Sequence, residues 1–151
     1  MNNGITLPTK TLCEQAIIPE NAYKGDAGYD LCATAEVTLQ PFERALIPTG
    51  LAVEIPEGYA GFVLPRSGLA IKQGLSVVNA PGLIDSNYRG ELQVIAINLD
   101  PANAIHIEVG MRIAQFVIMR VEQITFQKVN ELGTSERGAG GFGSSGLNGA
   151  K

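Results

Sequence analysis

Ile105-His106-Ile107-Glu108-Val109 sets apolar and polar side chains in strict alternation, the period of a strand with one face in a core and the other in water. At helical spacing the same apolar residues would not gather on one side. Similar short stretches lie on both sides of it, separated by Gly or Pro: Glu36 to Leu39, Ala45 to Pro48, Leu51 to Ile55, Tyr59 to Leu64, Leu75 to Val78, Glu91 to Leu99, Ile113 to Val121 and Ile124 to Val129. All read as strands. Only Ser67 to Lys72 suits a helix, of a turn or two, with Ser67 as its N-cap. The pattern predicts an all-β sandwich or jelly roll with at most one short helix and its chemistry on the connections. His106 falls on the polar face of its strand and is expected to be solvated, not catalytic.

With 151 residues, 45% of them hydrophobic, the chain can bury one sizeable core but is short for two ordinary domains. We expect one β domain over 1–132 and a flexible tail over 133–151. The N-terminus lacks a basic and then apolar leader, and no apolar run approaches a membrane span. A soluble cytoplasmic protein with no membrane partner is expected, with a nuclear or virus-encoded setting left open. Cys13 and Cys32 have no metal-ligand spacing and read as buried free thiols. A net charge of -4 argues against a nucleic-acid surface. A polyanionic ligand would need a local arginine cluster, for which Arg66, Arg112 and Arg137 are candidates.

The tail is itself informative. Arg137-Gly138-Ala139-Gly140-Gly141-Phe142-Gly143-Ser144-Ser145-Gly146 combines backbone freedom with a guanidinium, an aromatic ring and hydroxyls. Those groups can clamp phosphates and stack on a base, so the stretch reads as a nucleotide lid. Its glycine spacing imitates a dinucleotide fingerprint and the start of a P-loop, but the Lys-Ser/Thr of a P-loop and the βαβ setting of the fingerprint are both missing. A tail without a role is the plainer alternative.

Three polar islands stand out. Pro65-Arg66-Ser67-Gly68 lies between a strand and the short helix, where free amides, a guanidinium and a hydroxyl make an anion site or, more simply, a capped helix with an exposed arginine. The segment from Asn79 to Gly90 is dense in turn formers yet holds Leu83-Ile84, as a folded-back hairpin lining a pocket would. Within it Asp85 fits a pocket-wall carboxylate able to take a proton from water, and equally a turn cap. Gln115, in the apolar run after Gly110-Met111-Arg112, needs a ligand or a neighbouring subunit as partner.

Ala27-Gly28-Tyr29-Asp30-Leu31, Pro65-Arg66-Ser67-Gly68, the run from Gly82 to Gly90, Gly110-Met111-Arg112-Ile113-Ala114-Gln115 and Arg137 to Gly143 resemble, in order and spacing, the five motifs of the trimeric dUTPase family. The likeness covers nearly the whole chain, and five ordered motifs outweigh the plainer readings of each. It implies a jelly-roll-like subunit in a homotrimer whose sites are shared between chains. It also implies hydrolysis of dUTP to dUMP and pyrophosphate, which limits uracil in DNA and supplies dUMP for dTMP synthesis.

By the same resemblance Asp85 is the general base for the water attacking the α-phosphorus. Arg66, Ser67, Gly68 and Gln115 hold the phosphates, and Arg137 closes on their distal end. Asn79 and the backbone around Gly82, Leu83 and Ile84 read uracil, while Tyr88 packs under the deoxyribose. Phe142 stacks on the base, with Gly143 and Ser144 beside it in the lid. Mg²⁺ bridges phosphate oxygens, and Asp30 supports the metal or its water shell. A homologous dCTP deaminase would need a glutamate where this chain has Ile95, with Glu91 out of place. Asp85 argues against a non-catalytic nucleotide sensor, though an intact site leaves room for a second role.

Overall fold

The computed structural model describes residues 4–141 and residue 149. Along them run β1 (Thr9–Thr11), β2 (Tyr29–Cys32), β3 (Val37–Leu39), β4 (Arg44–Val53), β5 (Tyr59–Leu64), α1 (Ser67–Gln73), β6 (Leu75–Val77), β7 (Gly82–Ile84), β8 (Glu91–Asn98), β9 (Ile105–Ile107) and β10 (Arg112–Arg120). One sheet has the order β1-β4-β8-β6, a second β2-β10-β5-β7, and β3 pairs with β9 alone. Leu31, Phe116, Leu51, Val94, Leu39 and Ile107 bring all three sheets into one buried core. Removing each such side chain from water contributes about 1.5–3 kcal/mol before entropy is counted.

Strand β8 shows how the sequence chooses its faces. Leu92, Val94, Ala96 and Asn98 are buried, while Glu91, Gln93, Ile95 and Ile97 point outward and stay half-buried. Asn98 is tolerated in the core because its side chain is fully engaged. Nδ2 donates to the Leu39 and Asn103 carbonyls at 3.0 and 2.8 Å, and Oδ1 accepts from the Asp100 amide at 2.8 Å. These bonds fasten β3 and the β8–β9 connection to the main sheet.

The expected break between Ala45–Pro48 and Leu51–Ile55 is a bulge inside one strand, with the β4–β8 register shifting between Pro48 and Leu51. Gly50 has φ 67°, and a Cβ there would stand 2.7 Å from Cys13 Sγ, so only glycine fits. The bonds lost from the ladder are replaced. Thr49 Oγ1 donates to the Leu92 carbonyl at 2.5 Å, and the Gly50 amide donates to Glu91 Oε1 at 2.7 Å.

Several other expectations are corrected. Ile124 to Val129 forms no strand, because it has no ladder partner among the described residues, and Ile124 and Phe126 are exposed. β1 and β2 were not expected, since Thr9–Thr11 and Tyr29–Cys32 are too short to show a period. The helix occupies the expected place, but Arg66, not Ser67, is its N-cap residue and makes no side-chain capping bond. Both cysteines are free, Cys32 buried as expected and Cys13 exposed. His106 is exposed, its Nδ1 3.0 Å from Thr38 Oγ1 across the β3–β9 pair. No helix among the described residues is long and apolar enough to cross a membrane.

Candidate active site

A first hollow lies between the β7 hairpin and the outer face of β4 and β8. Its volume is about 270 Å³, and Asn79, Gly82, Leu83, Ile84, Asp85 and Tyr88 line it with Leu46, Val63, Val77, Glu91, Gln93 and Ile95. Pairing of β7 with β5, Val63 opposite Gly82 and Gly61 opposite Ile84, ends the strand just before Asp85. The chain then turns tightly, the Tyr88 amide donating to the Asp85 carbonyl at 3.1 Å. Asp85 is an exposed residue on the rim, where its carboxylate is open to water.

The walls beside it are held by close contacts. Tyr88 Oη donates to the Glu91 carbonyl at 3.1 Å, and the ring lies over Gly90, where a Cβ would stand 2.5 Å from Cζ. Asn79 leans on Gly82, where a Cβ would be 3.3 Å from Nδ2. An amide and an aromatic ring facing a small, half-apolar hollow suit a base and a sugar.

The second hollow, of about 770 Å³, is lined by Gly28, Asp30, Arg66, Ser67, Gly68, Lys72 and Gln115, with Tyr23, Asp26 and others at its edge. Sheet register builds it. Gln115 stands opposite Asp30 on β2 and opposite Leu64 on β5, so Arg66, two residues beyond Leu64, comes down on Asp30. Arg66 Nε lies 2.8 Å from Asp30 Oδ1, Nη2 donates to Oδ2 at 3.4 Å, and Nη1 donates to the Arg112 carbonyl at 3.2 Å. Arg112 Nε is 3.6 Å from the same Oδ2. One carboxylate thus fixes one guanidinium in place and neutralises part of a cationic cluster.

Gln115 has a partner inside the chain. Its Nε2 donates to the Pro65 carbonyl at 2.9 Å, while its Oε1 packs so closely on Gly28 that a Cβ there would collide. The strand-borne amide therefore holds the loop that presents Arg66. Beneath, burial pushes the Cys32 thiol above its ordinary range, the Arg112 charge opposing this and Asp30 adding to it. A thiol kept protonated is packing, not a nucleophile.

The expected site residues fall into two groups. Asn79, Gly82, Leu83, Ile84, Asp85 and Tyr88 meet in the first hollow, and Asp30, Arg66, Ser67, Gly68 and Gln115 in the second, with no lining residue in common. Arg137 joins neither, and its Nε and Nη2 donate to the Gly140 and Gly141 carbonyls of its own tail at 2.9 and 3.4 Å. Phe142, Gly143 and Ser144 lie outside the described residues. Sequence reasoning missed Glu91, Gln93 and Ile95 as lining residues, although the alternation of β8 sets them on the face opposite the core. It also missed Gly28 and Gly90 as seats for Gln115 and Tyr88.

A family model described as dUTPase matches residues 14–146. The chain is similar to a deoxyuridine 5'-triphosphate nucleotidohydrolase of Rhodococcus erythropolis, 51% identical over 97% of this chain and 89% of that protein. Its likeness to the enzyme of the same name from Cutibacterium acnes is 48% identity over 95% and 93% of the two chains. Among solved structures, the Staphylococcus bacteriophage 80alpha dUTPase with dUPNHPP superposes with a TM-score of 0.88 at 36% identity, over 94% of this chain and 99% of that one. A variant dUTPase from phage phi11 of S. aureus, described for its coordination of a structural Mg(II) ion, gives 0.80 at 32% identity over 86% of this chain and 100% of that one. Ordered hollows, strand topology and likeness along almost its full length agree: this chain belongs to the dUTPase family.

Proposed function

We propose that the protein hydrolyses dUTP to dUMP and pyrophosphate, limiting uracil incorporation into DNA and supplying dUMP for dTMP synthesis. The observation that carries this reading is the meeting of Asn79, the β7 backbone, Asp85 and Tyr88 around one nucleoside-sized hollow. Asp85 orients a water and takes its proton as the water oxygen bonds to the α-phosphorus. The α–β bridging bond breaks, and pyrophosphate leaves with that bond's electron pair. Asn79 and the backbone from Gly82 to Ile84 read the uracil edge, and Tyr88 walls the deoxyribose. Arg66, Ser67, Gly68 and Gln115 take the phosphates. Arg137 closes on the distal phosphate, while Phe142 stacks on the base with Gly143 and Ser144 in the closed lid.

A magnesium ion would be brought in on the triphosphate. No three acidic, histidine or cysteine side chains gather into a cage among the described residues. Asp30, shared by two arginines, would meet only the ion's water shell. When bound, Mg²⁺ supplies charge neutralisation to the phosphate chain.

The working unit is a homotrimer with shared sites. Separation of the two hollows on one chain supports this, because each holds half of what the reaction needs. So does the uncovered apolar surface. Ile124, Phe126, Val129 and Leu132 are exposed after β10.

The test is to incubate the protein with dUTP, dCTP, dTTP and UTP in the presence of Mg²⁺ and identify the products. We expect dUMP and pyrophosphate from dUTP alone. Ammonia from dCTP would favour a deaminase, and tight dUTP binding without turnover a sensor.

A further inference from the structure

Arg89 follows the turn that carries Asp85 and Tyr88, and its side chain folds back over that turn. Nη1 donates to the Ser86 carbonyl at 2.6 Å and to the Tyr88 carbonyl at 2.9 Å, so one nitrogen closes both ends of the loop tip. Nη2 lies 3.4 Å from Glu54 Oε1. Glu54 is fixed in turn, its amide donating to the Pro8 carbonyl at 2.9 Å just beyond the end of β4. A continuous brace therefore runs from the sheet edge to the turn.

The brace stands behind the nucleoside hollow. Arg89 is not among its lining residues, but with Asp85, Ser86 and Asn87 it lines a shallow depression on the far side of the turn. A nucleotide seated beside Tyr88 would not touch it. The ion pair is a weak source of folding stability, because the side chains of Arg89 and Glu54 are 52% and 61% exposed. Charge-assisted bonds to two carbonyls of one turn fix geometry instead. On the other side, the Tyr88 ring rests on Gly90, where a Cβ would stand 2.5 Å from Cζ.

We propose that Arg89 and Gly90 are positioning residues for the hydrolysis, and that they set where the Asp85 carboxylate and the Tyr88 ring stand. This rests on the roles given to Asp85 and Tyr88 above. Rejection of a 2′-hydroxyl then depends on two residues that never meet the sugar. Arg89 holds the backbone of the turn, and Gly90 leaves the ring the depth it needs.

The experiment compares Arg89→Met, Arg89→Lys, Gly90→Ala and Tyr88→Ala with the unaltered protein, measuring kcat and KM for dUTP and UTP on folded, purified samples. Arg89→Met should lower kcat/KM for dUTP roughly ten- to a hundredfold, the scale of a misplaced catalytic group. It should also narrow the dUTP-to-UTP ratio in the same direction as Tyr88→Ala. Arg89→Lys keeps the charge facing Glu54 but not the fork, and should fall between. Gly90→Ala, which displaces the ring, should act chiefly on the ratio. A merely structural role would reduce the active fraction for both substrates alike, leaving KM and the ratio unchanged. Unchanged KM and ratio in folded Arg89→Lys and Gly90→Ala, with the ratio narrowed in Tyr88→Ala, would overturn the proposal alone. No dUTP turnover by the unaltered protein, or an unchanged ratio in Tyr88→Ala, would bring down the underlying reading and the proposal with it.

Discussion

Beneath the Asp85 turn the polar groups that shape the hollow are fastened within the chain: Tyr88 to the Glu91 carbonyl, the turn to itself, and Asn79 against Gly82. In the arginine hollow the fastening is electrostatic, two guanidiniums around Asp30, and the tail arginine is bonded to its own glycines instead of joining them. One region is shaped by bonds within its own turn; the other is a charged surface held by a single carboxylate. Recognition of base and sugar can therefore be a property of one subunit. On the proposed reading, commitment to hydrolysis needs a lid and a second chain to bring the halves together.

The strongest attack on this division is Asp85→Asn. It keeps the shape of the nucleoside hollow and removes the base, so turnover should fall by about 10²–10⁴-fold while nucleotide binding and Tm are retained. Binding can be followed by calorimetry, and near-normal turnover would move the base elsewhere. Deleting everything after Glu136 attacks the other side. It removes no strand of the described residues, so the core should remain folded, with activity down about a hundredfold through loss of closure. Mixed trimers of the deleted and Asp85→Asn chains should recover part of that activity, since an intact base and an intact tail can meet at one site. No recovery in mixed trimers verified by mass spectrometry would mean that each chain completes its own site.

Asp30→Asn is a smaller and sharper probe. With the carboxylate gone, Arg66 loses its anchor, and kcat/KM should drop about tenfold, mostly through KM. If Asp30 acts through Arg66, added Mg²⁺ will not restore the loss. Recovery at high Mg²⁺ would return the residue to the metal's water shell.

The smallest effect is expected far from both hollows. Asp100 Oδ1 accepts the Ala102 and Asn103 amides at 2.8 and 2.7 Å, and these bonds, with the Asn103 side chain, hold its carboxyl below the ordinary range. A lowered folded-state value stabilises above the unfolded value, and the benefit fades as pH falls through the folded one. Asp100→Asn should therefore leave activity intact and lower Tm by a few degrees at most at neutral pH, a gap that closes in acid. A gap that persists below the carboxylate range would assign the effect to geometry alone.

The two regions also differ in how far the sequence disclosed them. Alternation in Ile105–Val109 identified β9 because a half-buried strand writes its period directly into residue type, and the apolar run within Glu91–Leu99 identified β8. Ser67 to Lys72 placed the helix to within a residue. Ile124 to Val129 misled for the same reason, since apolar residues signal burial without saying against what, and no ladder partner among the described residues answers them. The hairpin from Asn79 to Gly90 was legible through its turn formers. By contrast, the partnership of Asp30 with Arg66 joins residues 36 apart in the chain through sheet register, which no local pattern encodes. Gln115 is the same case: its bond to the Pro65 carbonyl spans 50 residues.

Glu91 is tied at both ends. Its carbonyl receives the Tyr88 hydroxyl, while its carboxylate receives the Gly50 amide at the bulge of β4. A substitution there keeps the carbonyl that receives Tyr88, which belongs to the backbone, but strips the Gly50 amide of its acceptor, so its first effect falls on the bulge of β4. Leu46 and Ile95, which line the same hollow with apolar side chains only, are the places where a lineage or an engineer could reshape the pocket without unpicking the sheet beneath it.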